Sequence, residues 1–559
     1  MLSAAPAAAA EDLVLKAVTD ELSRNMERLK MDSLDRPYFL SYYVTDSTET
    51  EFSAAFGALR DDSVNIAREA AVDLRIGNQD FDNSWYAGQD FNSYLPGTAA
   101  LGEEADYDSL RFSLWSLTDD AYTRALEKYS QKKAYQQKKN IAQLYGDLSA
   151  EKKELLLEDE PVPAPLAPAV WRETVRKVSA IFRKYPKIQE SQAALRRVVR
   201  TVRFANSEGT RYRYYRDGVT LEIKAEVQTA GGLRIADEKA FYWSSPPDVP
   251  PDAKLEAETE AFARDMSYVV DSSTAEAYLG PVLFEDQGAA EFLGQLFVNN
   301  ISFSRNPWSD RDDMSRYYMA AGELTKKLGM RVLPGFLSVS DNPLETSWHG
   351  TPLLGAYPID NEGVRPSGLE LVRSGKLVNF YVSRAPVEKF RSSNGHARGY
   401  IREFPTARPG NVFFSAQPEK KVSRAELRKE LLRLAAENGL DYAVIVRRLD
   451  PWDEKKSEDL LAGPMLAYKV SVKDGSETLI NGEEWTGVTF RALRDIMLVS
   501  DDEQVYNYYQ PTPFFYTRGY VPASIIAPAA LLVQEMELKP TDAKPDRQPY
   551  LPHPYFEKK

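Results

Sequence analysis

Glu285 and Glu291 lie in the run Gly280-Pro281-Val282-Leu283-Phe284-Glu285-Asp286-Gln287-Gly288-Ala289-Ala290-Glu291-Phe292-Leu293-Gly294-Gln295, where an apolar strand-like start passes through a turn into a helix. Two carboxyls so placed form a general acid/base pair only if the fold brings them together. Other reactive side chains are scarce. The chain has no Cys and three His, namely His349, His396 and His553, and none has another within ten residues. Zinc is held by thiolate, imidazole or carboxylate, and a site of carboxylates alone would suit calcium or magnesium better. Asp310-Arg311-Asp312-Asp313 has the carboxylate spacing of a calcium loop, but the Gly and the distal Glu of that motif are misplaced. It reads as a solvated helix start. Ser392-Ser393-Asn394-Gly395-His396 sets hydroxyls beside an imidazole. Catalytic partners meet through the fold rather than by adjacency, so this run reads as a Gly-rich loop. Trp348-His349-Gly350 reads as a loop with a conformational role. No metal and no cofactor is expected.

At 559 residues, 43% hydrophobic and 27% charged, the composition is that of a soluble globular protein of two to four domains. A net charge of −13 with dispersed Lys and Arg argues against nucleic acid as a partner. No apolar run approaches the ~18 residues that span a bilayer. Residues 1–10, Ala-rich and ending Ala8-Ala9-Ala10, resemble the tail of a signal peptide. That suggests a periplasmic or extracellular protein, with a cytoplasmic one as the alternative.

The elements that must position these residues read as an α+β fold. Leu15, Val18, Leu22, Met26 and Leu29 recur at helical spacing and predict a helix over 13–29. Strands are expected over 37–44, 52–59 and 71–76, with Gly57 marking a bend or bulge. Residues 114–153 read as a polar helix capped by Thr118 or Asp119, a solvated or partner-facing arm whose basic stretch Ser130–Lys139 has acidic flanks. With the Pro161–Pro168 connector it forms an insertion over about 114–168. Helices follow over 171–182 and 188–195, strands over 198–206, 212–215 and 220–229, and a helix over 255–269. The second half reads as short strands, at 332–339, 368–372, 376–382, 442–449, 465–473, 477–481, 485–499 and 524–538. It holds one amphipathic helix over 423–438, with a Ser423/Glu426 capping box and Gly439 as its C-terminal stop. The expected division is an N-terminal helix-and-antiparallel-sheet domain over 11–278 and a β-rich C-terminal domain over 279–559.

Several turns share one familial order. Asn206-Ser207-Glu208-Gly209 resembles an Asn-Ser-x-Gly turn, and Ile359-Asp360-Asn361-Glu362-Gly363 an Asp-Asp-Glu-Gly turn. The hairpin Leu371–Tyr381, the runs Asn394–Tyr400 and Arg408–Asn411, and Ser524–Leu532 follow in sequence. Together with the 280–295 run, the chain resembles the TldD/PmbA (TldD/TldE) metallopeptidase family. In that frame His-Glu-x-x-x-His falls on Ala290, Glu291 and Gln295, so both imidazoles are replaced, and the family's third ligand, a Cys, has no counterpart here. The resemblance therefore implies a TldE/PmbA-type member without the zinc motif and with no confident catalytic residue. Such a member is a non-catalytic subunit that pairs with a metal-bearing TldD-like sibling and walls a cleft for unfolded peptide. Asn394, Gly395, His396 and Arg398 are the peptide-cleft candidates, and strand addition would hold the substrate. A homodimeric peptide-binding or envelope-assembly protein is one alternative, and a hydrolase with a non-family mechanism is another. Tyr506-Asn507-Tyr508-Tyr509 and Phe514-Phe515-Tyr516 are candidate contact surfaces, with core packing as the other reading.

Overall fold

The computed structural model describes residues 12–30, 34–88, 95–229, 231–272, 276–311, 322–387, 389–450, 460–512, 519–541, 549 and 553–556. The expectations for residues 1–10, for Asp312 and Asp313, and for Phe514-Phe515-Tyr516 lie outside the described residues. The fold is α+β, with a β-rich C-terminal half.

The N-terminal half is built on a seven-stranded sheet in the order 97–101, 58–76, 37–55, 188–206, 211–228, with 155–157 and 234–243 both on the outer edge of 211–228. Its four long strands, Pro37–Ala55, Ala58–Ile76, Ile188–Asn206 and Arg211–Gln228, are antiparallel neighbours. Side chains alternate across a strand, and the two faces of Pro37–Ala55 have different partners. Leu40, Tyr42 and Val44 pack under the helices Leu13–Arg28 and Tyr107–Lys139, and Phe52 and Ala54 under Pro168–Ala180 and Asp252–Val269. Phe39, Ser41 and Tyr43 point the other way, toward loops of the C-terminal half.

Several sequence expectations are corrected here. The strand expected at 37–44 runs on to Ala55 as one strand of 19 residues, and the one expected at 52–59 is split by the hairpin turn at Phe56-Gly57, where Gly57 has φ +78°, with 58–59 opening the next strand. The polar stretch Thr45–Glu51 hid this, because it pairs between two neighbouring strands where little core lies beneath it. Residues 188–195 are strand, not helix, since strands on both sides pair with them. The long helix begins at Tyr107 with Asp106 as its cap, whose carboxylate accepts from Ser109 N at 2.8 Å. Its basic stretch is not wholly solvated, because Lys132 is buried.

The C-terminal half has two main sheets. The larger runs 421–422, 496–500, 530–540, 278–285, 442–449, 464–471, 477–480, with 483–485 added beside 530–540. The smaller runs 376–377, 369–373, 337–341, 411–416, 520–528, 503–511. The helix Gln287–Leu296 lies between them in one apolar core drawn from both sheets. The helix Arg424–Glu437 covers the opposite face of the larger sheet through Leu427, Leu431 and Ala435. Its Ser423/Glu426 capping box is formed, and Gly439 follows its end at φ +72°. The single strand expected over 524–538 is two, Tyr520–Pro528 and Ala530–Pro540, one in each sheet. The chain crosses at Ala529, whose N–H donates to Asp502 O and whose carbonyl accepts from Asp286 N. The stretch expected as strand over 485–499 contains a short helix, Arg491–Arg494, before the strand Ile496–Ser500. Tyr506 and Tyr508 stack on each other and pack against the core, whereas Tyr509 is 47% exposed. No helix among the described residues is long and apolar enough to cross a membrane.

Candidate functional site around the central helix

The strand Tyr278–Glu285 turns into the Gln287–Leu296 helix at Asp286, which adopts φ +51°. Gly288 lets the helix start touch the neighbouring strand, since a Cβ there would meet Val446 O at 2.7 Å. The turn therefore seats the helix directly on Tyr442–Leu449.

Glu291 and Gln295 are one helical turn apart on the same face. Glu291 Oε2 accepts the main-chain N–H of Leu449 at 2.7 Å, and its Oε1 accepts from Gln287 Nε2 at 2.8 Å and from the Tyr506 hydroxyl at 3.4 Å. Gln295 Oε1 accepts the main-chain N–H of Ala462 at 2.8 Å. Leu449 and Ala462 flank the connection between two neighbouring strands of the larger sheet. The two side chains thus hold the two ends of that connection. Ala290 has no exposed surface and lies in the core with Phe284 and Phe292.

These residues do not fit zinc. Position 290 offers a methyl group inside the core, Gln295 spends its carbonyl oxygen on Ala462, and the chain has no Cys. Among the described residues, no group of three or more His, Asp and Glu is placed to hold a metal ion.

Glu285 and Glu291 are not brought together as an acid/base pair. Val282 and Phe284 face the central helix, so Glu285, with Leu283, faces the outer helix. There Arg428 (3.0 and 3.1 Å) and Arg447 (3.1 Å) bind it. Burial works against its charge, but the two guanidinium groups hold it below the usual carboxylate range.

Next to Glu291 is an ion pair that sequence reading missed. Arg448, the residue before Leu449, binds Asp237 at 2.6 Å and Glu238 O at 2.6 Å, linking the larger sheet to the strand Arg234–Trp243. Burial pushes Asp237 up to about 7 against the pull of Arg448, and Glu291 adds to the rise. Alternating strand patterns marked neither residue, because each sits in a run of mixed charge.

The 394–398 segment is enclosed by the chain. Asn394 accepts from Val382 N at 3.1 Å and donates to Phe380 O at 3.0 Å. Gly395 is buried, at φ +74°. His396 has no exposed surface; its Nδ1 is 2.8 Å from Asn394 O, and its Nε2 is 3.6 Å from Asp341 Oδ1. Arg398 is 7% exposed and donates to the carbonyls of Pro409 (2.9 Å) and Pro522, over the ring of Tyr357. Ser393 Oγ is 3.3 Å from Val382 O, and no hydrogen bond joins it to His396 among the described residues. His349 is exposed at φ +46° in a tight turn, and Asp310 accepts from the Tyr86 hydroxyl at 2.7 Å.

Burial has a measurable consequence here. It raises Asp237, Glu362 and Glu403 each to about 7, against about 4 in an unfolded chain. Between those values the folded state binds more protons than the unfolded one, so stability from these groups is lost as pH rises toward 7 and beyond. Asp12 and Glu285, held low by their partners, act oppositely and lose stability as pH falls below about 4. The unfolding temperature is expected to be higher at pH 5.5 than at pH 8.0 by scanning calorimetry. A flat or rising trend across that interval would count against these burials.

Residues 277–539 match the PmbA/TldA metallopeptidase C-terminal domain. Over 83 residues the chain is 36% identical to a metalloprotease PmbA homologue of Haemophilus influenzae, a match spanning 15% of this chain and 17% of that relative. The fold is similar to TldE from Thermococcus kodakarensis, at TM-score 0.58 and 12% identity over 93% of this chain and 99% of that one. It is also similar to a Thermotoga maritima protein described as a candidate modulator of a DNA gyrase, at TM-score 0.56 and 15% identity over 89% and 96%. Domain match, local identity and fold agree, and the chain belongs to the TldD/PmbA family.

Proposed function

We propose that this chain is a metal-free, non-catalytic subunit of the TldE/PmbA type. In this reading it pairs with a zinc-bearing TldD-like sibling, walls a shared cleft and helps hold an extended peptide by main-chain hydrogen bonds. The observation that carries the proposal is the use of Glu291 and Gln295. Both side chains accept main-chain N–H groups at the ends of one connection, so the frame is kept as a brace. A carboxylate committed to Leu449 N, Gln287 and Tyr506 is poorly placed to activate water. Asn394, Gly395, His396 and Arg398 then brace the cleft wall from within.

The test is co-expression with a His-Glu-x-x-x-His sibling, followed by sizing and a peptidase assay. The expected result is a two-chain complex whose activity exceeds that of the sibling alone. If this chain stays monomeric at micromolar concentration and leaves the sibling's activity unchanged, the reading is wrong.

A further inference from the structure

A cavity of about 90 Å³ lies between the Phe39–Ser41–Tyr43 face of the N-terminal sheet and the 361–362 and 399–405 loops of the C-terminal half. Neither Ala290, Glu291 nor Gln295 lines it. Its walls carry six aromatic rings, those of Phe39, Tyr43, Trp85, Phe204, Tyr400 and Phe404. Six charged side chains line the cavity: Asp73, Arg75, Lys128, Glu362, Arg384 and Glu403, the last also raised to about 7 by burial. The Arg384 guanidinium is matched by Glu208 at 2.7 Å, and that of Arg75 by Asp73 at 2.9 Å and Asp82 at 3.3 Å. Glu362 is half-buried; its Oε2 accepts the main-chain N–H of Arg384 at 2.6 Å, and no hydrogen bond reaches its other oxygen among the described residues.

We propose that this cavity binds an ammonium group carried on a small apolar body, with the ammonium against Glu362 and the body among the aromatic rings. Ring faces attract cations, most strongly where water is excluded. The two guanidinium groups do not compete for the open oxygen, because each already has its carboxylate. At roughly 10–15 Å³ per water-sized group, the cavity takes a ligand of about six to nine non-hydrogen atoms. A free organic amine and the N-terminus of a peptide share this chemistry.

Glu362 also makes the binding respond to pH. Burial raises it to about 7, with the Arg384 N–H, Arg384 and Arg75 pulling it down and Asp73 pushing it up; the buried Asp360 carboxyl is its near neighbour in the same turn. An incoming ammonium favours the carboxylate form, so affinity rises as Glu362 loses its proton. The proposal stands whether or not the subunit reading holds, since it concerns separate residues and needs no partner chain.

Calorimetric titration of the full chain at pH 8 tests it, using benzylamine, benzyl alcohol and benzoate as matched probes. Benzylamine is expected to bind at least tenfold more tightly than benzyl alcohol, and benzoate more weakly still. Glu362→Gln should abolish that preference while leaving the unfolding temperature within a few degrees. In the unaltered chain, benzylamine affinity should rise about tenfold from pH 6 to pH 8; this series decides the matter if the variant does not fold. Phe-Ala-Ala amide and its N-acetylated form separate the sources. Binding of the unblocked peptide without binding of benzylamine supports the proposal and assigns the ammonium to a peptide terminus. Benzyl alcohol binding as tightly as benzylamine, no binding by any amine, or an affinity unchanged between pH 6 and pH 8 would overturn it.

Discussion

Lys132→Ala is expected to lower stability by about 3–5 kcal/mol, the scale for breaking a buried ion pair by removing one partner. Lys132 is 1% exposed, and its ammonium donates to Asp82 O at 2.9 Å, Ser84 O at 2.7 Å and Asp147 Oδ2 at 2.6 Å. It lies 4.6 Å from the ring centre of Phe81 and 5.5 Å from that of Trp308. Burial presses the Lys132 ammonium down and the Asp147 carboxyl up, while the contact between them opposes both shifts. Asp147 also binds Arg305 at 3.1 Å and accepts from Asp82 N at 2.8 Å. One cation therefore ties the long helix to the 82–85 turn, and its carboxylate partner ties both to the C-terminal half. Removing the cation leaves two carbonyls and part of a carboxylate unmatched in a dry site. Denaturant unfolding with an unchanged slope would report the loss. Lys132→Met combined with Asp147→Asn should recover part of it, since the charge is then removed from both sides. A loss under 1 kcal/mol from Lys132→Ala would show that the ammonium is solvated after all.

Placing imidazoles at the two positions that the family resemblance implies, by Ala290→His with Gln295→His, is expected to yield no tightly held zinc and to lower stability by about 2–5 kcal/mol. An imidazole at 290 overfills a site that has no exposed surface and lies in one core with Phe284 and Phe292. The change at 295 removes the acceptor for Ala462 N, which then loses its bond at one end of the connection. A chain without Cys still offers no thiolate as a further ligand. Elemental analysis beside thermal unfolding gives both readouts. One zinc per chain surviving dialysis, with stability retained, would mean that the frame is a metal site lacking only its ligands.

Locally encoded elements were legible in the residues. Ser423 and Glu426 close a capping box because both partners lie within one helical turn, and the Leu427/Leu431/Ala435 stripe buries itself on the nearest sheet. The run Tyr442–Leu449 is a strand with the expected ends. That positions 290 and 295 carry Ala and Gln, and that the chain has no Cys, is a matter of residue identity and needs no coordinates.

Elements whose character comes from distant partners were not legible in this way. Ile188–Leu195 is rich in Gln, Glu, Ala and Leu, good helix formers, yet it is strand because Phe52–Ala54 and Leu221–Val227 hydrogen-bond to it from both sides. Lys132 looked like one more charge on a solvated helix, although it continues the spacing of Leu114, Leu117, Ala121, Ala125 and Tyr129, which are all buried. Only Asp147, fifteen residues away, and the carbonyls of the 82–85 turn made its burial tolerable. Glu362 was visible as part of a familial turn, but the rings that surround it come from strands and loops hundreds of residues apart. By itself the sequence determined the α+β class, the capped helix and the supply of metal-binding side chains, three His and no Cys, since these follow from residue type and short-range spacing. Tertiary structure alone decided that Glu291 and Gln295 serve as anchors and that a carboxylate faces an aromatic cavity, because hydrogen-bond partners and buried neighbours are chosen by chain topology rather than by sequence proximity.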